Sequence, residues 1–198
     1  MPTTIPQETR FIRRIPPPTH RTENYLQSLP LRIALFAALT ATAFASTIAA
    51  ARSEPASGAP VDGIHCDRME SGLFHIHQHL AIYDHGKPVE IPSDVGRPFA
   101  AACFYWIHTH TSDGLIHIES PVYRSFQLGQ FFDVWGQPLS ATRVGPARIA
   151  AGQLRAYVDG SLYKGNPRKI DLVAHSDIVL EAGPPYTKPA PFTDWQGQ

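Results

Sequence analysis

Histidines are concentrated in one stretch of the chain. Seven of the ten lie between His75 and His117. From residue 74 to residue 82 histidines alternate with other residues, so that a β-strand would place His75, His77 and His79 on one face. Because neutral imidazole is a good ligand for Zn(II), Cu(II), Fe(II) and Ni(II), this pattern predicts a transition-metal site.

A second group of histidines surrounds a hairpin signal. Two runs rich in β-branched and aromatic residues flank Asp113–Gly114, a dipeptide typical of two-residue hairpin turns. Such a turn sets His110 opposite His117 and His108 opposite Glu119, with opposed Cβ atoms about 5 Å apart. A longer turn would shift the pairing but keep the same residues of each strand on one face.

Six histidines on adjoining strand faces need an explanation. If buried, each neutral imidazole requires hydrogen-bond partners, and if exposed, the rings repel one another once protonated. A bound metal ion removes both difficulties. The candidate ligands are His75, His77, His79, His108, His110, His117 and Glu119. Without methionine nearby, the donors favour copper or zinc, whereas iron and nickel also fit.

Two other functions are compatible with the same residues. In a metalloenzyme, either a zinc hydrolase or an iron or copper oxidase, three histidines hold the ion and Glu119 is the catalytic general base. In a metal-free interaction module, the histidines release a partner as they become charged near pH 6.5, the usual imidazole pKa. The chain carries no phosphate-binding loop, dinucleotide fingerprint or serine-elbow motif.

The chain has two cysteines, Cys66 and Cys103. In an oxidising compartment such a pair forms a disulfide, which is the pairing we predict. The alternative is a thiolate metal ligand, since Cys103 is close in sequence to His108.

The first third of the chain is predicted to direct export. Residues 33–51 contain no charged side chain and follow an arginine-rich segment, 1–32, that we expect to be disordered and cytoplasmic. The apolar run is either a signal peptide cleaved near 45–52 or a single transmembrane anchor, which would make the membrane a partner. Either reading places the rest in the periplasm or at the cell surface, after a flexible linker over 52–63.

The remaining composition favours one β-rich domain. Its predicted class is α+β, a small antiparallel sandwich-like or rolled sheet with one short helix, over residues 64–183. A proline-rich tail, 184–198, is expected to lie loosely on the surface. The 17 basic and 17 acidic side chains balance, which argues against a nucleic-acid partner, and no protein partner is indicated.

Secondary structure after the histidines is predicted from apolar spacing and turn residues. Residues 127–135 have the pattern of a short helix that Gly136 ends. Strands are expected near 153–158, 161–164, 169–173 and 177–182.

Three segments carry a family resemblance. HIHQHLAIYDHGKPVEIP (75–92), CFYWIHTHTSDGLIHIESP (103–121) and QLGQFFDVWG (127–136) resemble an uncharacterised family of predicted exported or membrane-anchored bacterial proteins. The resemblance covers most of residues 64–183. It implies export and one domain, and it implies no particular activity.

Overall fold

The computed structural model describes residues 57–187 and 190–195. The predicted leader, 1–32, and the apolar segment, 33–51, lie outside the described residues. Among the helices of the described part, none has the length and hydropathy needed to cross a membrane.

The described chain is built mainly from short strands. Its strands are β1 Cys66–Asp67, β2 Phe74–Asp84, β3 Lys87–Val89, β4 Phe104–Tyr105, β5 Ile107–His108, β6 Leu115–Ser120, β7 Arg143–Val144, β8 Ala147–Arg148, β9 Leu154–Val158, β10 Ser161–Tyr163 and β11 Asp177–Ala182. The helix α1 spans Leu128–Trp135, and two short 3-10 helices span Phe99–Ala101 and Pro167–Lys169.

One sheet of seven strands dominates the domain, in the order β10-β9-β11-β2-β6-β5, with β3 also paired to β2. The long strand β2 joins two halves of this sheet, because its first residues pair antiparallel with β6 and its later residues pair parallel with β11. Two-stranded sheets formed by β1 with β4 and by β7 with β8 complete the fold. The predicted β-rich, sandwich-like class with one short α-helix is confirmed, although the main sheet is mixed and not purely antiparallel.

Helix α1 covers the apolar face of the sheet. Its capping box joins Gln127 to Gln130, and Gly136 ends it with φ of 70°. The buried residues at helical spacing include Leu128, Phe131 and Phe132. Burying side chains of this size contributes roughly 1.5–3 kcal/mol each. The helix predicted over 127–135 is therefore confirmed.

The apolar residues that alternate with the histidines of β2 form part of this core. Leu80 and Ile82 are almost fully buried and join Ile116 and Ile118 of β6 in one hydrophobic cluster. The histidines lie on the opposite face of the sheet, as the period-two pattern predicts.

The strand predicted at 169–173 is wrong. Residues there form the end of a 3-10 helix, followed by an isolated bridge between Asp171 and Gln127. Pro167 starts the 3-10 turn, and Asn166 caps it by accepting a hydrogen bond from the Arg168 amide. This local turn chemistry outweighs the strand propensity of the residues that follow it.

Residues at both ends of the domain contact the sheet region. In the segment assigned to the linker, the Gly58 amide donates to the Tyr105 hydroxyl at 2.9 Å. In the tail, the Thr187 amide donates to Glu181 at 2.6 Å and Phe192 stacks on His79. Some tail residues are thus hydrogen-bonded or packed against the domain, whereas most of the described tail residues are exposed.

The predicted disulfide between Cys66 and Cys103 is present. It links β1 to the residue before β4, and these two strands also pair with each other. Both cysteines are in this disulfide, so neither is a thiolate metal ligand. A disulfide is typical of an oxidising, extracytoplasmic compartment.

Replacing Gly114 with alanine is expected to lower the free energy of unfolding by about 2–3 kcal/mol, as a strained backbone position would. Its φ is +86°, and a Cβ there would lie 2.4 Å from the Leu80 carbonyl oxygen. Gly160→Ala is the matched control, because Gly160 also has a positive φ but has no atom within 4 Å of a built Cβ. Urea unfolding should show a clearly larger loss at Gly114, and equal losses would contradict the packing argument.

Candidate metal centre

Strand β6 lies between the two other histidine strands. His117 of β6 is directly opposite His77 of β2 on one side and His108 of β5 on the other. Three histidines therefore form a row across three adjacent strands. Two residues further along β6, Glu119 is opposite His75, which adds a carboxylate to the same face.

The predicted two-residue turn at Asp113–Gly114 is wrong. The register pairs His108 with His117, two positions away from the predicted pairing of His108 with Glu119. The chain leaves the strand after His108, and the Thr109 amide donates to the Val95 carbonyl, so the connection is longer than two residues. An even shift preserves parity, which is why the same side chains still share one face.

On the β2 side, His75 and His77 bring their Nε2 atoms to 2.9 Å from each other. Two nitrogens bound at about 2.0–2.1 Å to one ion, at the angles of octahedral or tetrahedral geometry, lie roughly 2.9–3.4 Å apart. The separation is therefore that of two ligands on one ion, and it also permits a single N–H···N hydrogen bond.

On the β5 side, His108 and His110 repeat this arrangement. Their Nε2 atoms are 3.1 Å apart. Glu70, from the loop between β1 and β2, places its Oε1 atom 3.5 Å from His108 Nε2 and 3.6 Å from His110 Nε2.

Glu119 lies between the two histidine pairs. Its Oε1 atom is 3.2 Å from His75 Nε2 and 3.9 Å from the Nε2 atoms of His108 and His110. The same oxygen is 3.8 Å from His117 Nδ1, which is beyond hydrogen-bond distance. His117 Nδ1 is buried and has no hydrogen-bond partner in the described part of the chain.

These donors form two groups in which all donor atoms lie within 4.8 Å of one another. One contains His75, His77 and His117, and the other contains Glu70, His108, His110 and Glu119. Buried histidine and glutamate clusters that could hold a metal ion are therefore present. No protein-family model, curated protein or solved structure matches this chain. The resemblance to an exported bacterial family stays a prediction, and the functional argument depends on the geometry.

The centre is buried in the middle and partly open at its edges. His108 is fully buried, whereas His75 and His110 expose 42% and 33% of their side chains. Solvent or an incoming ion can reach the donors from that side.

Burial keeps the central imidazoles neutral. Burial, with smaller contributions from neighbouring histidines, lowers the pKa of His77 and His108 to about 4 and that of His117 to about 3, and the hydrogen bond to Tyr105 partly opposes the effect on the pKa of His108. Burial and then Arg97 also lower the pKa of His110. Because a ligating histidine must be deprotonated, these rings are ready to bind a metal at neutral pH without releasing a proton.

The carboxylate of Glu119 has the opposite shift. Burial, followed by the nearby Glu70, raises the pKa of Glu119. A cation between these two carboxylates would reverse that effect, since an opposite charge favours the ionised form.

His108 has the supporting hydrogen bond expected of a ligand. Its Nδ1–H donates to the Tyr105 carbonyl at 2.7 Å, which leaves the lone pair of the neutral ring on Nε2, toward His110. The buried position of Tyr105 holds this acceptor in place.

His79 lies apart from both groups. Its Nδ1 is 2.8 Å from an Asp177 carboxylate oxygen, and its ring stacks on Phe192 with centroids 3.7 Å apart. His85 is in the two-residue turn between β2 and β3, with φ of 49°.

Sequence reasoning missed Glu70. A single acidic residue in a loop carries little signal, but the disulfide offers an indirect one. Cys66 is bound to Cys103, and this bond brings the segment that leads to Glu70 near the strands that carry His108.

Metal-free protein is expected to lose stability as the pH falls below about 6.5, the pKa of histidine in an unfolded chain. The folded pKa values of His77, His108 and His117 are lower, so between about 6.5 and about 4 the unfolded chain binds protons that the folded chain excludes. The unfolding free energy should fall by up to about 1.4 kcal/mol per pH unit for each such histidine. Urea unfolding of chelator-treated protein at several pH values measures this slope, and equal stability at about pH 7 and about pH 5 would contradict it.

Proposed function

We propose that this protein is an extracytoplasmic metal-binding protein that holds copper or zinc through histidines on adjacent β-strands. The single observation that carries the proposal is the convergence of five histidines and two glutamates in two donor groups, one of which contains His117, whose buried Nδ1 atom has no partner in the described part of the chain. A buried polar atom without a partner costs about 1–3 kcal/mol. A bound ion would remove that cost.

A metal-free role for these histidines and glutamates explains fewer of their contacts than metal binding does. Hydrogen bonds between the rings can satisfy one nitrogen pair on each side, at His75–His77 and His108–His110. They leave His117 Nδ1 without a partner in the described part of the chain, and His77 and Glu119 compete for the same nitrogen of His75. Metal binding uses all of these donors together, which favours it over a metal-free interaction module.

The donor chemistry favours a borderline divalent ion. Imidazole nitrogen and carboxylate oxygen suit Zn(II) and Cu(II), whereas a soft Cu(I) site would need thiolate or thioether ligands. Both cysteines are in the disulfide. Fe(II) and Ni(II) are also compatible with these donors, and the general affinity order places Cu(II) highest.

The extracytoplasmic setting is supported by the disulfide and by the charge pattern of the N-terminal segment. We infer that residues 33–51 serve as a cleaved signal peptide or a single membrane anchor, as the arginine asymmetry indicates. Membership of the exported bacterial family that the motifs resemble is part of this proposal.

We propose Glu119 as a metal ligand. Its Oε1 atom is 3.2 Å from His75 Nε2, within the range of two ligands on one ion. Three further imidazole nitrogens lie 3.8–3.9 Å from the same oxygen. We therefore propose metal binding as the function of this site.

Isothermal titration calorimetry with Zn(II) and Cu(II) on chelator-treated protein tests the proposal. We expect saturable binding that weakens by more than about 100-fold in a His108→Ala variant, since even partners of ligands contribute 10–100-fold to affinity. His85→Asn is the matched control, because it removes an exposed turn histidine and asparagine tolerates the positive φ there. Equal binding by wild type and His108→Ala, or none by wild type, would refute the proposal.

A further inference from the structure

The donors divide into two sets on either side of β6. His75 and His77 come from β2, whereas His108 and His110 come from β5 and the residues after it. Each pair has its Nε2 atoms within 3.1 Å of each other. Within each pair the two nitrogens are thus close enough to bind one ion.

The middle strand supplies the groups that adjoin both pairs. The His117 ring centroid is 4.4 Å from that of His77 and 4.3 Å from that of His110. Glu119 Oε1 contacts His75 on one side and faces His108 and His110 on the other. The donors are thus arranged as a histidine pair on β2, a shared group on β6, and a second histidine pair on β5 and the residues after it.

One ion cannot use all of these donors. Structural zinc takes four ligands in almost every case, and copper in nitrogen and oxygen sites is commonly tetragonal. Five imidazoles and two carboxylates exceed that number. An ion on one group alone would leave a nearly fully buried histidine of the other group, His77 or His108, without an ion.

We propose that the centre holds two divalent transition-metal ions, one on each donor group, with the Glu119 carboxylate shared between them. This inference rests on the proposed function and adds a second ion to it. The first ion takes His75, His77 and His117, and the second takes Glu70, His108 and His110. A carboxylate has two oxygens with several lone pairs, so Glu119 is able to contact both ions.

The two positions differ in charge, and this predicts an order of filling. The group with Glu70 and Glu119 carries two carboxylates that compensate a divalent ion. The group of three imidazoles is neutral, so its ion depends on the shared Glu119. The carboxylate-containing group should therefore fill first and bind more tightly.

Metal stoichiometry in single variants tests the inference. The full chain is dialysed against excess Zn(II), and bound zinc per chain is determined by elemental mass spectrometry. The variants are His75→Ala and His110→Ala, chosen because these rings are partly exposed and come from different groups. Thermal unfolding of each metal-free variant verifies that it is folded.

We expect about two zinc ions per wild-type chain, about one in each single variant and fewer than about one-half in the double variant, from two sites of four-ligand type. His85→Asn should retain the wild-type value. One ion in the wild type, or loss of all zinc in either single variant, would overturn the two-ion inference and leave the proposed function standing. No zinc in the wild type would overturn both.

Discussion

Replacing both His108 and His110 with alanine is expected to abolish the thermal stabilisation that one zinc ion gives to the wild-type protein. A ligand present at about a thousand times its dissociation constant raises the free energy of unfolding by about 4 kcal/mol. For a domain of this size, that corresponds to an increase in Tm of roughly 10–20 °C per ion. The double variant should lose the contribution of the ion that these two rings hold. Differential scanning calorimetry with and without zinc measures it.

The control separates ligand loss from general destabilisation. His108 is fully buried, so its replacement will lower the Tm of the metal-free protein as well. The decisive quantity is therefore the difference in Tm between the zinc-loaded and the zinc-free form of each variant. His85→Asn is the reference. An unchanged zinc-dependent shift in the double variant would contradict the assignment of these residues.

Removing the disulfide is expected to lower the free energy of unfolding by about 4 kcal/mol in the chain-entropy model. Cys66 and Cys103 are 37 residues apart in sequence, and closing a loop of that length restricts the unfolded chain by about this amount. The Cys66→Ser/Cys103→Ser variant should show this loss in guanidinium unfolding followed by tryptophan fluorescence.

The same bond should influence the metal centre through Glu70. Asp67, just after Cys66, accepts a hydrogen bond from the Trp106 indole at 2.7 Å, so the segment that leads to Glu70 is fixed at two points.

A reductant should destabilise the wild type to the level of the double serine variant and leave that variant unchanged. A loss smaller than about 1 kcal/mol would contradict the predicted contribution of the disulfide.

Several features of the fold follow from local sequence signals. Strict alternation places His75 and His77 on one face of β2 and Leu80 and Ile82 on the other, since successive side chains in a strand point to opposite faces. The Asp159–Gly160 turn has positive φ at both residues, as a two-residue hairpin requires.

Other features depend on contacts that no local pattern encodes. Asp113–Gly114 has the same hairpin signal as Asp159–Gly160, but the Asp113 side chain accepts a hydrogen bond from the Leu115 amide at 3.0 Å and the preceding residues bond to the segment near Val95. These tertiary bonds lengthen the connection. The sequence also could not show that β6 lies between β2 and β5, because strand order is set by packing of the whole sheet.

The candidate site was also only partly predictable from the local sequence. The sequence predicted that His108, His110, His117 and Glu119 share one face. The observed register of β5 and β6 differs from the predicted one by two positions, and an even difference leaves each side chain on the same face. The approach of His75 and His77 to the same group depended on the pairing of β2 with β6. Glu70 could only be found once the loop that carries it had been placed.

The metal content of the isolated protein tests the proposed metal binding most directly. The full chain is expressed for export, purified without a histidine tag or chelator, and assayed for bound metals per chain by elemental mass spectrometry. We expect zinc or copper at about one to two ions per chain, as is typical of histidine sites of four-ligand type. Protein that is metal-free and also binds neither ion on titration would contradict it.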